Sequence, residues 1–174
     1  MIKLRKNQTT KNSFLMLFLS FILLCIAILN YGCTDYRHIL EARGIEYSGH
    51  SFIRQAAKGN IENVDLFIKS GMDVNSKEQT NSTALMVAAS NGHIDIVKML
   101  LENGANINDV DNSNSTALMH AAYTNHVEIV KILISKKAKL NIRNNLNETA
   151  LRHATRANNA EVVKALNDVG ASED

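Results

Sequence analysis

No proline and no tryptophan occur in the chain, and only 2 of its 174 residues are cysteine. Without proline, no helix can begin on a ring that fixes φ, so other residues must start every helix. Cys25 lies inside an apolar run and Cys33 just beyond it, which excludes a disulfide framework. A large excess of one charge is also missing. Of the 19 Lys and Arg, Lys3, Arg5, Lys6 and Lys11 lie before Cys33, which leaves 15 against 17 Asp and Glu, a net of −2. A domain so balanced is not built to bind polyanions, and no nucleic-acid partner is expected. No Gly-rich phosphate loop is present, and no serine or cysteine nucleophile stands beside a base. Catalysis, a cofactor and a small-molecule substrate are therefore not expected.

What the chain does have is a period. Thr-Ala-Leu begins at Thr83, Thr116 and Thr149, at one constant interval. Gly92-His93-Ile94-Asp95-Ile96-Val97-Lys98-Met99-Leu100-Leu101 stands the same interval before Asn125-His126-Val127-Glu128-Ile129-Val130-Lys131-Ile132-Leu133-Ile134. The stretches starting at Gly59 and Asn158 fit the same frame. A period of about 33 residues marks a supersecondary unit stacked on copies of itself, so function is sought on a surface rather than in a pocket. Within a unit, Leu85, Ala88 and Ala89 share one face of a short helix, and Ile96, Val97, Leu100 and Leu101 share one face of the next. Gly92 separates the two helices and Gly104 ends the second, while each repeated threonine can cap the helix that follows it.

The unit with Thr-Ala-Leu-Met-Val-Ala-Ala-Ser-Asn-Gly-His at 83–93 resembles an ankyrin repeat. The resemblance implies an all-α ankyrin-repeat solenoid over 49–174, with about four helix-turn-helix-loop units at about 49–77, 78–110, 111–143 and 144–174. The family has proline after the threonine, where this chain has Ala84, Ala117 and Ala150, and alanine starts a helix acceptably. The family's turn glycine is Asn81, Asn114 and Asn147 here, and asparagine tolerates the left-handed region best after glycine. Lys137 stands where the other units have Gly71, Gly104 and Gly170, so the third repeat is expected to have the least stable helix end. In the last unit Asn167 replaces Ile68, Leu101 and Ile134, and Ala160 replaces Ile61, Ile94 and Val127, as a polar terminal cap requires. The first unit has His50 for the threonine and Gln55 for an alanine, and a short helix around 36–43, with Ile39 and Leu40, is expected to cover it within a 33–48 linker.

Residues 1–32 read differently. Their four basic residues precede an apolar run from Phe14 to Leu29 without any acidic residue, which is the pattern of an export signal or signal anchor. The run is short for a membrane span, which takes about 20 residues. Gly32-Cys33 after it resembles a bacterial lipoprotein signal, in which Cys33 would be the acylated new N-terminus. That motif usually has leucine three places before the cysteine, whereas Asn30 stands there, so an uncleaved anchor remains the other reading. Both place the repeats outside the cytoplasm, because the basic flank stays inside. The expected location is a bacterial cell envelope, membrane-anchored and facing the periplasm or exterior.

His93 and His126 share one repeat position, and His120 and His153 another. Equivalent positions on stacked helices sit about 10 Å apart, too far for two ligands each about 2 Å from one zinc, so no metal site is expected. Glu62, Asp95, Glu128 and Glu161 share a helix start and suit its dipole. Lys136, Lys137, Lys139 and Arg143 read as a solvated helix end. The three Asn-x-Ser/Thr sites at Asn81, Asn114 and Asn147 follow from the repeat itself. By the resemblance, another protein is the expected partner, held by the loop tips and the exposed side of the first helices. These positions are Gln79, Thr80, Ser82, Ser90 and Asn91 in the second unit, and Asn112, Ser113, Ser115, Tyr123 and Thr124 in the third. The fourth offers Asn145, Leu146, Glu148 and Arg156. Tyr123 and Arg156 are the expected anchors, since Ser90 and Ala57 at the equivalents of Tyr123 show that the fold needs no aromatic there. An inhibitor or immunity-type protein that blocks a partner enzyme, and a structural envelope component, are the alternatives. Intact mass of the membrane fraction tests the anchor: the wild type is expected to begin at Cys33 with added acyl mass and Cys33→Ser to keep residues 1–32. A wild type that keeps them as well would make the anchor a helix.

Overall fold

The threonine caps form as the sequence requires. Thr83, Thr116 and Thr149 each hold extended backbone, and their hydroxyls accept the N–H groups of Met86, Met119 and Arg152 at 3.3–3.4 Å. The computed structural model describes residues 36–173, and the N-terminal apolar run and Cys33 lie outside them. The described helices are α1 (Tyr36–Ala42), α2 (Gly49–Ala57), α3 (Ile61–Lys69), α4 (Ala84–Ser90), α5 (Ile94–Glu102), α6 (Ala117–Tyr123), α7 (Val127–Ser135), α8 (Ala150–Arg156) and α9 (Ala160–Asn167). From α2 onward they form four stacked pairs, an all-α repeat solenoid. Among the described residues the only β feature is an isolated bridge between Lys77 and Thr83, and no helix is long and apolar enough to cross a membrane.

The buried faces are the periodic ones. Leu85, Ala88 and Ala89 with their equivalents Leu118, Ala121 and Ala122, and Ile96, Val97 and Leu100 with Ile129, Val130 and Leu133, form one core. Leu101, expected on that face, is only half-buried at its edge, and Met86 and Met119 take core places that the helical pattern did not assign. Alanines on the first helices let α6 pack closely against α4 on one side and α8 on the other, while the second helices α3, α5, α7 and α9 touch their neighbours less.

The first unit departs from the sequence reading. His50 does not occupy the cap: Ser48 does, accepting Ser51 N–H at 3.2 Å, so α2 starts earlier in the repeat frame than its counterparts and runs for 9 residues. His50 instead meets Glu78 at 3.1 Å on the surface. Gln55, buried where the other units have alanine, is satisfied by the amides of Asn60 and Asn63 at 2.6 and 3.1 Å. Over this unit α1 lies against α3 and buries Leu40, while Ile39 stays 40% exposed.

Side chains stitch each repeat to the next. Asn75, Asn108 and Asn141 accept the backbone N–H groups of Asn106, Lys139 and Ser172 at 2.7, 2.8 and 3.0 Å. His93 and His126 reach back through Nε2 to the carbonyls of Ala57 and Ser90, both at 3.0 Å. A carbonyl only accepts, so Nε2 carries the proton in both rings. These imidazoles dictate the turn beneath them. A Cβ on Gly59 would stand 2.7 Å from His93 Cε1, and one on Gly92 2.5 Å from His126 Cε1. In the third repeat the covering residue is Asn159, whose amide takes over the bond, to the Tyr123 carbonyl at 2.9 Å, and adds one to the Ala122 carbonyl at 2.8 Å. There the turn carries a side chain, Asn125, at φ 63°. Beyond α9 the chain turns back on the last unit: the Ser172 carbonyl accepts from Thr149 Oγ1 at 2.8 Å, and Glu173 accepts from Thr155 at 2.7 Å.

Lys137 holds φ 64° where Gly104 holds 86°. A Cβ at Gly104 would meet nothing within 4 Å, so the cost at this position is backbone strain rather than crowding. Lys137→Gly should stabilise by about 1 kcal/mol and raise Tm by about 4 °C; an unchanged melting curve would contradict this. Gly92→Asn should cost about 1–3 kcal/mol by urea denaturation, and adding His126→Asn should recover most of it. Strictly additive effects would show that the ring and the turn are not coupled.

Candidate binding surface

The loop tips form a ladder. Asn112 donates its backbone N–H to the Thr80 carbonyl at 2.9 Å and its amide to the Gln79 carbonyl at 3.1 Å. Asn145 repeats both bonds one layer on, to the carbonyls of Ser113 and Asn112, at 2.9 and 3.0 Å. Several residues expected to meet a partner are thus engaged in holding the tips together. Asn91 donates to the Ala57 carbonyl at 2.8 Å, Thr80 to Ser82 at 3.0 Å, and Thr124 to the His120 carbonyl at 2.9 Å. Ser90 gives its carbonyl to His126, and Ser115 is buried. At the tips Gln79, Ser113 and Leu146 are exposed, Leu146 to 69%.

The third and fourth repeats bring together a second group. Ser115, Met119, His120, Tyr123, His153 and Arg156 line a cleft of about 120 Å³. Tyr123 is 53% exposed, and its ring meets His153 edge-on with centroids 6.0 Å apart. Arg156 lies over the same ring, Cζ 5.8 Å from its centroid, and donates through Nη1 to Glu148 Oε1 at 2.7 Å. The two expected anchors therefore form one patch with Glu148. Larger hollows lie elsewhere, one of about 490 Å³ along α9, but its lining gathers no comparable group of aromatic and titratable side chains.

His120 and His153 stood out in the sequence only as metal candidates, and the structure gives them other partners. Each is fixed by a residue nine positions upstream: His120 by Asp111 at 3.0 Å, His153 by Asn144 at 2.9 Å. That spacing, recurring in successive repeats, was the signal available in the sequence. Among the described residues no group of three or more His, Cys, Asp or Glu is placed to hold a metal ion. Burial, the largest influence, depresses the pKa of His153; Glu148 opposes it, and Arg156 and His120 add to it. The basic residues Lys136, Lys137 and Lys139 are exposed, and Arg143 donates to the Asn147 carbonyl at 3.1 Å.

Comparison with known families agrees with this architecture. The family model described as ankyrin repeats (3 copies) matches residues 23–111, 52–144 and 107–173. The chain belongs to the ankyrin-repeat family, and its repeats are a protein–protein interaction module of a kind that is generally not enzymatic. A search of curated proteins finds no match.

Proposed function

We propose that the chain is a membrane-tethered, non-enzymatic binding protein whose repeats face the outside of the cytoplasm and grip another protein between the third and fourth units. The observation that carries the binding site is the exposure of Tyr123, with Arg156 over its ring, at the mouth of a side-chain-sized cleft. Rigid aromatic and arginine side chains of this kind dominate the energy of protein interfaces. Leu146 supports the reading, being the most exposed large hydrophobic residue among those described and lying on the tip beside the same repeat. The tether rests on the basic and apolar pattern of residues 1–32 and on Cys33.

The test must allow for Glu148. Its side chain is only 15% exposed and one oxygen is held by Arg156, so removing the arginine alone leaves a carboxylate short of its partner, at a cost of about 1–3 kcal/mol. Tyr123→Ala with Arg156→Ala in a Glu148→Gln background should keep the melting curve near that of Glu148→Gln. Against the stoichiometric partner recovered from envelope extract, affinity should fall at least about 100-fold relative to Glu148→Gln. Unchanged affinity would sink the assignment.

A further inference from the structure

Asn144 has no freedom in how its amide points. Its Oδ1 accepts the backbone N–H groups of Leu146 and Glu148, both at 2.9 Å, so Nδ2 is the atom that faces His153 Nε2 at 2.9 Å. An amide nitrogen only donates, hence His153 Nε2 is bare and the neutral ring carries its proton on Nδ1. One repeat earlier a carboxylate occupies the same position. Asp111 Oδ1 accepts from the N–H groups of Ser113 and Ser115, and Oδ2 meets His120 Nε2 at 3.0 Å, so there Nε2 carries the proton. A single exchange of Asp for Asn sets opposite tautomers in adjacent repeats.

A second proton on His153 has to go on Nε2, where it would point at the donor Nδ2 of Asn144. Asn144 can offer its oxygen instead only by releasing two loop N–H groups. An acceptor within reach is Glu148 Oε2, 3.5 Å from Nε2, buried and without a hydrogen bond. The other oxygen of that carboxylate is the one held by Arg156. Glu148 faces the ring from the loop, Arg156 from the same helix, and His120 and Tyr123 from α6, with Asp111 acting through His120.

We propose that protonation of His153 is a switch on the binding cleft: the imidazolium leaves Asn144 for the free oxygen of Glu148, and by sharing that carboxylate's charge and repelling the guanidinium it loosens the hold of Glu148 on Arg156. Mild acid then changes the anchor that a partner meets, a regulation that rests on reading Tyr123 and Arg156 as the binding patch. The sign of the linkage follows from the buried neutral ring. The unfolded chain binds this proton more readily than the folded one. The contribution to stability is thus complete above the unfolded imidazole pKa and is lost as pH falls through that value toward the folded one.

The experiment is a side-chain NMR titration of the full chain in detergent micelles from about pH 8 to about pH 4.5, with the urea-unfolded chain as reference. At neutral pH His153 should show the Nδ1–H tautomer, titrate below the unfolded reference, and carry the Arg156 Nε–H signal with it at the same midpoint. Asn144→Asp should move the proton to Nε2 and raise the midpoint; Glu148→Gln should uncouple Arg156 from His153. An Nε2–H tautomer in the wild type, or an Arg156 signal that stays fixed through the His153 midpoint, would overturn the switch. No partner is needed for this titration. An absent switch therefore leaves the binding surface standing, and a Tyr123 and Arg156 variant that binds normally leaves the switch standing.

Discussion

A helix of 7 residues, such as α4, α6 or α8, has no stability of its own in water, so each repeat persists only because a neighbour covers it. Every other feature follows from that dependence. The alanines at 88, 89, 121, 122 and 154 are what the dependence demands on the first helices, because only small side chains let three such helices meet along their length. The asparagines at 75, 108 and 141 and the imidazoles at 93 and 126 join backbone groups of one layer to the next, where a lone repeat would leave those groups to water.

The first and last units cover their outer faces differently. At the first unit, Tyr47 stacks on Phe67 with centroids 5.6 Å apart and ties its hydroxyl to the Ser70 carbonyl at 2.9 Å, while α1 contributes Leu40. At the last unit the answer is polar: Asn167 and Ala160 replace larger apolar residues, and the tail supplies Ser172 and Glu173 as hydrogen-bond partners.

The candidate site arises where the repeat pattern is broken without need. Tyr123 has Ser90 and Ala57 as equivalents, and Asn144 has Asp111 and Glu78, so neither is demanded by the stack. Those departures meet at one junction, with Glu148 and Arg156 between them. A buried carboxylate oxygen and a buried imidazole nitrogen without hydrogen bonds sit beside an otherwise well-satisfied solenoid. Local frustration of this kind marks positions held for something other than stability.

The sequence alone determined the period, the helix pairs, the threonine caps and the left-handed turn positions, because each of these is set by residues within one repeat. Lys137 at φ 64° and Asn81 at φ 57° were legible from residue type and register, since side-chain tolerance of the left-handed region is a local property. The cap of the first unit was not legible, because Ser48 lies outside the periodic frame and competes with the residue the frame points to. Only the tertiary structure decided which polar residues of the tips are tied into the ladder and which face solvent. Asn112, Asn145 and Asn91 bond to carbonyls 33 or 34 residues away, and nothing in a residue type says whether its amide is turned toward the next repeat or away from it. The same holds for His153. Its ring state is fixed by which atom of Asn144 faces it, and that orientation is imposed by two backbone N–H groups of a folded loop.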